Sequence, residues 1–322
     1  MNEFKEYEVV ANGICQHVTE AGSGPVVLLC HGFPEIGHSW RHQVRALADA
    51  GYRGIAPDMR GYGRTEAPAA IDAYSILHLV GDMVGLLQVL GIEKADIVGH
   101  DWGAPVAWTA AQMRPDMFTS VTGMCVPFAP RGPVSSLEAM RRSGRHQFYQ
   151  LYFQEPGVAE ADFHKDIDAT LRRMMWTLSA GPAEPWNGMI GLEGALDALS
   201  EPTGAMGWMA PEDFAVYSSA FATSGLSGGL NWYRNIDRNW ALTAAFQNAA
   251  IKQPAWFITG EKDPIYPLLK PLVDALPKTV LGHKGTTIVP QAGHWVHQEA
   301  YEQVNHVLLG FLEQVRRSSS IR

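Results

Sequence analysis

Residues 97–107 read IVGHDWGAPVA. A short apolar run enters Gly99-His100-Asp101-Trp102-Gly103, and small helix-forming residues follow. Small–x–nucleophile–x–small marks a nucleophile elbow, where a strand turns sharply into a helix and holds one side chain out at the bend. That side chain is commonly Ser; here it is Asp101. A carboxylate is already ionised at neutral pH and needs no deprotonation before it attacks. It therefore suits displacement at a saturated carbon, where a hydroxyl would first need a base.

The surrounding chain supplies the sheet that such an elbow needs. Residues 6–19 suggest an antiparallel pair around the Asn12-Gly13 turn. PVVLLC, residues 25–30, is an apolar run that stops at HGFP and reads as a buried strand. Trp40, Val44, Leu47 and Ala48 recur at helical spacing, so a helix is expected over 38–50, ending at Gly51. GYRGIAPD is the next strand and its exit, 74–91 an amphipathic helix, ADIVGH the strand into the elbow and 103–113 the helix out of it. A strand follows at 118–126. The rhythm breaks near Pro127, resumes at PAWFITG (254–260), and runs through GTTIVP (285–290) to a closing helix at 299–315.

This alternation predicts an α/β class with a mainly parallel sheet and helices on both faces. Residues 128–245 carry helical patterns and little strand signal, with a Gly/Pro/Met/Trp-rich segment at 179–211. The economical division is a core of 1–127 and 246–322 with a helical cap, 128–245, inserted between two strands. Open α/β sheets bind ligands at the carboxyl ends of their strands, which is where such a cap sits.

Composition narrows the function. The chain has 322 residues, 46% of them hydrophobic and 18% charged, enough for a large buried core. A net charge of -8 with no basic block excludes a general nucleic-acid binder. MNEFKEYE lacks an apolar leader, and no run is long enough to span a membrane. Cys15, Cys30 and Cys125 are odd in number and widely spaced, which fits thiols in a reducing, cytoplasmic compartment. Aromatic and Met residues crowd 148–240 and suggest an apolar ligand cavity. RRSSSIR after Val315 reads as a frayed end.

Three loops that follow strands each deliver a reactive side chain: Asp101 on the elbow, Asp263 in GEKDP and His294 in QAGHW. Singly, each is ordinary, because an Asp after a strand commonly caps a helix. Together they give the order nucleophile, acid, histidine that α/β-hydrolase folds use. HGFP adds the loop whose backbone N–H joins that of the residue after the nucleophile in an oxyanion hole; this assigns Phe33 and Trp102, through backbone. Phe33-Pro34 is a candidate cis bond. The 12 His show no metal-ligand spacing, so neither a metal nor an organic cofactor is expected. His100 and the DMRGYG turn at 58–63 read as structural, a supporting hydrogen bond and a turn anchor.

On these motifs the chain resembles the α/β-hydrolase-fold epoxide hydrolases, most of all the hydrolase domain of the soluble, mammalian-type enzymes. The matching stretches are HGFP (31–34), DMRGYG (58–63), GHDWG (99–103), YQLYFQEPGVAE (149–160), NWYRN (231–235), EKD (261–263) and GHW (293–295). They run through the cap as well as the core; the mammalian enzymes' N-terminal phosphatase domain has no counterpart here. The resemblance implies a mostly parallel eight-stranded sheet with an inserted helical cap, and an epoxide turned into a vicinal diol. It implies Asp101 as nucleophile, His294 as general base and Asp263 as the acid that orients it. Tyr149 and Tyr233 are the cap tyrosines that hold the epoxide oxygen, whereas Tyr152 falls off that position. Pro34, Gln150, Phe153 and Trp295 are expected to line the pocket. Trp186, Met206, Trp208 and Met209 fit a tunnel wall and ordinary cap packing equally. The expected partners are a hydrophobic epoxide and water, and a homo-oligomer stays open.

Two rival readings use the same residues. A haloalkane or fluoroacetate dehalogenase would employ the same Asp nucleophile. A departing halide needs no proton, so the tyrosine pair would have no task, and Trp102 stands where a fluoroacetate enzyme needs an arginine. A slow-turnover ligand-binding sensor on the same fold is the other rival, and an intact triad speaks against it.

Overall fold

The computed structural model of the protein describes residues 3–191 and 194–319. Strands β1 (Lys5–Ala11) and β2 (Ile14–Gly22) form an antiparallel hairpin. Asn12 and Gly13 turn it with positive φ, 51° and 78°, the geometry that two-residue hairpins favour. Strands β3 (Val26–Cys30), β4 (Arg53–Pro57), β5 (Ala95–His100), β6 (Phe118–Met124), β7 (Ala255–Gly260) and β8 (His283–Val289) complete an eight-stranded sheet. Its order is β1-β2-β4-β3-β5-β6-β7-β8. β2 is antiparallel to both neighbours and the remaining pairs are parallel.

Helices cover both faces. Before the insertion come α1 (Arg41–Asp49), α2 (Ile76–Val89) and α3 (Gly103–Met113). Between β6 and β7 lie α4 (Ser136–Arg142), α5 (Tyr149–Tyr152), α6 (Val158–Phe163), α7 (Ile167–Leu178), α8 (Pro211–Ser224), α9 (Ser227–Arg234) and α10 (Ile236–Leu242). After β7 follow α11 (Tyr266–Thr279), α12 (Val296–Glu299) and α13 (Tyr301–Ser319). Val44 and Leu47 of α1 share one apolar cluster with Val304, Leu308 and Leu312 of α13. Leu79, Met83 and Leu86 of α2 share the opposite one with Val106 and Ala110 of α3. With both faces covered, every residue of β3 and β5 is buried, and their near-continuous apolar sequences follow from that. No described helix is long and apolar enough to cross a membrane.

Some boundaries differ from the sequence expectation. The helix expected over 38–50 opens with a 3-10 turn at Gly37–Trp40 before α1, and the one over 74–91 is preceded by a 3-10 turn at Ile71–Tyr74. Ser75 separates that turn from α2 because its backbone is extended. The closing helix starts at Tyr301, after the separate α12, and continues to Ser319; the last three residues of the expected frayed end lie outside the described residues. Helix α11 has no counterpart in the sequence expectation, since Pro271 and Pro277 inside it hide a helical pattern.

The chain leaves β3 for β4 on one side and returns to β5 on the other. This reversal opens the carboxyl ends of β3 and β5 into a crevice, the usual ligand position in such sheets. The helices between β6 and β7 supply the tyrosines that meet the loops of that crevice. Among its described residues, the segment between α7 and α8 has no helix and carries isolated bridges such as Phe148↔Met189. Side chains pin it: Asp162 Oδ2 accepts from Leu196 N at 2.8 Å, and Arg173 Nη1 donates to Leu196 O at 2.9 Å.

Candidate active site

The elbow is built by close packing. Asp101 has φ of 48°, a left-handed conformation that a non-glycine residue adopts at some cost. A Cβ on Gly99 would come within 2.0 Å of Gly103 O, and one on Gly103 within 2.0 Å of Cys30 O. Only glycine fits at either position, which explains the spacing of GHDWG. The bend brings Asp101 against the loop after β3, where Phe33 N donates to Asp101 Oδ1 at 2.8 Å. The Phe33-Pro34 bond is cis. Trp102 is the N-cap of α3, so its amide belongs to the end of that helix where N–H groups lack intrahelical acceptors.

The loops after β7 and β8 complete the set. His294 Nδ1 lies 2.9 Å from Asp263 Oδ2, and His294 Nε2 lies 3.5 Å from Asp101 Oδ2. Asp263 and His294 are each 1% exposed, so this ion pair is shielded from solvent. Burial alone would lower the His294 pKa. The charge of Asp263 and the hydrogen bonds to Asp101 and Asp263 outweigh it, and the imidazole is held well above its ordinary value. The two carboxylates thus stabilise an imidazolium between them.

The cap contributes two phenols. Tyr149 opens α5 and Tyr233 lies near the end of α9, with ring centroids 5.9 Å apart. Tyr233 also stands edge-on to Trp102 and to Phe33, at 5.1 and 5.6 Å. Burial, then the negative charge of Asp101, push both phenols above the usual range, so both keep their protons. Gln150 Nε2 donates to the Tyr149 hydroxyl at 3.2 Å. Tyr149 N binds Gly188 O at 2.9 Å, and Trp232 Nε1 binds Arg60 O at 3.1 Å, beside Tyr233.

Two cavities meet here, both lined by Asp101, Tyr149, Tyr233 and Ile265. The wider, about 710 Å³, includes Trp102 and Gln150. The narrower, about 50 Å³, includes Phe33, Pro34, Phe153, Trp186 and His294. Trp295, expected on the pocket wall, is on neither wall. It is buried behind His294, with its indole N–H on Met175 O at 2.8 Å and its ring 5.0 Å from that of His294. Tyr152 also lines neither cavity. Of the four cap residues left open by sequence, Trp186 is on the narrow wall. Met206 and Trp208 line a separate cavity of about 680 Å³, and Met209 is packed in the core.

Sequence reasoning missed Glu35, one residue beyond HGFP. It is fully buried, accepts Gly32 N at 3.1 Å and lies 2.6 Å from His100 Nδ1. His100 Nε2 in turn meets His294 O at 2.8 Å. Glu35 thereby ties the loop of Phe33 to the loop of His294. Against the effect of burial, its charge raises the His100 pKa to about 10, while burial and that neighbouring cation drop His297 to about 4. Only the step from proline to a carboxylate marks Glu35 in the sequence. Nothing local reveals partners 65 and 263 residues away, His100 and Gln298. Asp58 anchors its turn as expected, with Oδ1 accepting from Gly37 N and Oδ2 from Arg64 N.

Two buried triads, His100/Cys125/His294 and Glu35/His100/His297, place donor atoms within 4.8 Å of one another and could hold a metal ion by position. Their atoms already serve hydrogen bonds: Cys125 Sγ and His100 Nε2 both contact His294 O. Distant parts of the chain assemble both triads, which is why spacing gave no sign of them.

A family model described as alpha/beta hydrolase fold matches residues 25–301. Epoxide hydrolase A of Mycobacterium tuberculosis is 44% identical over 310 residues, covering 94% of this chain and 96% of that protein. Bifunctional epoxide hydrolase 2 of Sus scrofa is 36% identical, covering 97% of this chain and 56% of that longer protein. Among solved structures, an epoxide hydrolase from an endophytic Streptomyces superposes with a TM-score of 0.93 at 41% identity, over 98% of this chain and 96% of that one. With an elbow carboxylate, an Asp–His pair and two cap phenols in one cavity, the chain belongs to the epoxide hydrolases of the α/β-hydrolase fold.

Proposed function

We propose that the protein hydrolyses a hydrophobic epoxide to a vicinal diol through an ester on Asp101. One observation carries the reading. Asp101 has one carboxylate oxygen on Phe33 N–H and the other facing His294, in a cavity it shares with Tyr149 and Tyr233. In the first step an Asp101 oxygen attacks a ring carbon and the carbon–oxygen bond of the epoxide breaks. The electron pair of that bond goes to the ring oxygen, which takes a proton from Tyr149 or Tyr233. Phenols held protonated by burial are suited to that donation.

Esterification removes the negative charge of Asp101. His294 loses one of the two carboxylates that favour its charged form, so its pKa falls toward that of a usable base. It passes its proton to the phenolate left by ring opening, which restores the phenol, and as a neutral base it then takes a proton from water while Asp263 stabilises the resulting imidazolium. The hydroxide adds to the ester carbon. The oxyanion that forms meets the Phe33 and Trp102 amides, a type of donor worth about 3 kcal/mol of barrier each. Collapse expels the diol alkoxide, which takes the proton from His294, and the Asp101 carboxyl gives its remaining proton to His294, restoring the resting carboxylate and imidazolium. Residues 128–245 act as the cap and supply the ring-opening acids; 1–127 and 246–322 supply the rest.

A single turnover in heavy-oxygen water tests this: the label should enter the Asp101 carboxylate and reach diol only in later turnovers. Label appearing directly in the first diol would establish attack by water on the ring. Halide release from a haloalkane without diol formation from any epoxide would establish the dehalogenase instead.

A further inference from the structure

The two cavities at Asp101 are unequal, and this inequality bears on which epoxides fit. Asp101 and both tyrosines line the junction, so the three-membered ring sits there and each ring carbon directs its substituent into one arm. The narrow arm, at about 50 Å³ against about 710 Å³, takes only a small substituent. The 710 Å³ arm is within the range that encloses a whole drug-sized molecule.

The small arm is also closed by fixed structure. Its described walls include Phe163, Met174, Ile190, Ala195 and Leu199, all buried. The backbone behind them is tied at three points. Leu196 N binds Asp162 and Leu196 O binds Arg173, and Ser200 N donates to Thr177 Oγ1 at 2.8 Å. Enlarging the arm means breaking these partly buried hydrogen bonds, which resists widening. Apart from the reacting groups at the junction its walls are apolar, which favours a short alkyl group or hydrogen over a polar one.

Resting on the hydrolase reading above, we infer that the substrates are terminal or near-terminal epoxides: one ring carbon bears hydrogen or a short alkyl group, the other a large apolar body. Epoxides in the middle of a long chain, which need two long arms, are poor substrates.

Two isomeric epoxides of tetradecene, one terminal and one mid-chain, test this at equal composition and hydrophobicity. The terminal isomer should show kcat/KM roughly tenfold or more above the mid-chain isomer, the scale on which excess methylenes in a pocket discriminate. Leu199→Ala should shrink that ratio by enlarging the small arm, and Ala195→Leu should increase it. Equal kcat/KM for the two isomers in the unaltered protein overturns the arm assignment and leaves the hydrolase reading standing. No diol from either isomer or from styrene oxide overturns the hydrolase reading, and this inference with it.

Discussion

The two halves of the site are anchored differently. Phe33, Asp101, Asp263 and His294 follow the carboxyl ends of β3, β5, β7 and β8, and Glu35 and His100 cross-link their loops. The tyrosines stand on short helices. Tyr233 is fastened to the core through its neighbours, because Trp232 Nε1 binds Arg60 O and Asn235 Nδ2 binds Ile71 O at 2.7 Å. Tyr149 is tied to the irregular segment between α7 and α8, through Gly188 O and the Phe148–Met189 bridge. Charge transfer and ester hydrolysis need fixed distances, and the strand-end loops supply them. The proposed ring-opening acids are placed on the part that would also admit substrate. The division predicts that damage to each half stops a different step.

The largest effect is expected at the nucleophile. Asp101→Asn should reduce kcat by on the order of 10⁴-fold or more, with no ester detectable by mass spectrometry of the intact protein, since the amide is a poor nucleophile. His294→Gln should reduce steady-state kcat by about 10³–10⁴-fold for a different reason. Here the ester should form and persist, and the protein mass should rise by that of one epoxide. An unaltered mass for His294→Gln during turnover would show that the base is already needed for ring opening.

The cap half comes next. Tyr149→Phe and Tyr233→Phe should each slow single-turnover ester formation by about 10²-fold, the lower range of general-acid contributions. The breakdown rate of preformed ester should hardly change. The double variant should lose much more than either single one if the phenols substitute for each other as donor. If ester breakdown falls as much as its formation, the assignment of separate steps to the two halves fails.

The contrast in anchoring also sets what could be read from the sequence. That Asp101, Asp263 and His294 converge was legible from their joint pattern: each lies in a loop just after an apolar run, in the order that such folds use. GHDWG was legible because two close backbone approaches admit only glycine. Tyr149 and Tyr233 needed the family resemblance, since no local pattern separates them from Tyr152, which lines neither cavity. Trp295 was misplaced because proximity to His294 in sequence says nothing about which way an indole faces. Glu35 was missed for the opposite reason, as its partners are close only in space. The unequal arms were hidden for the same cause: Phe163 and Leu199 line one cavity from a helix and from an irregular segment that carries no periodicity.

A smaller effect separates the halves by stability. Arg234 joins α9 to α6 through a bidentate pair with Glu160, at 2.7 and 2.8 Å, with side chains 5% and 14% exposed. Glu160→Gln keeps the shape and removes the charge, which should cost about 1–2 kcal/mol locally. Hydrogen exchange should speed up in α6 and α9 and stay unchanged in β3 and β5. Faster exchange in those strands would show that the cap and the core open as one unit.

A pH slope belongs to the core half. His100 has its pKa raised to about 10 by Glu35, and His294 is raised by Asp263 and Asp101, in both cases against burial. A group raised on folding adds stability that is complete below its unfolded pKa, about 6.5 for His, and is lost as pH climbs through the folded value. The melting temperature should therefore fall as pH rises from about 6.5 towards 10, at no more than about 1.4 kcal/mol per pH unit for each histidine. His100→Gln should lower stability at pH 6.5 and flatten part of the slope, and His294→Gln should flatten the remainder. Glu160→Gln should leave the slope as it is, because the folded pKa of Glu160 is depressed, against burial, by Arg234 and its contribution is lost on the acid side. A slope that survives removal of both histidines would place the titrating group outside the linked strand-end loops.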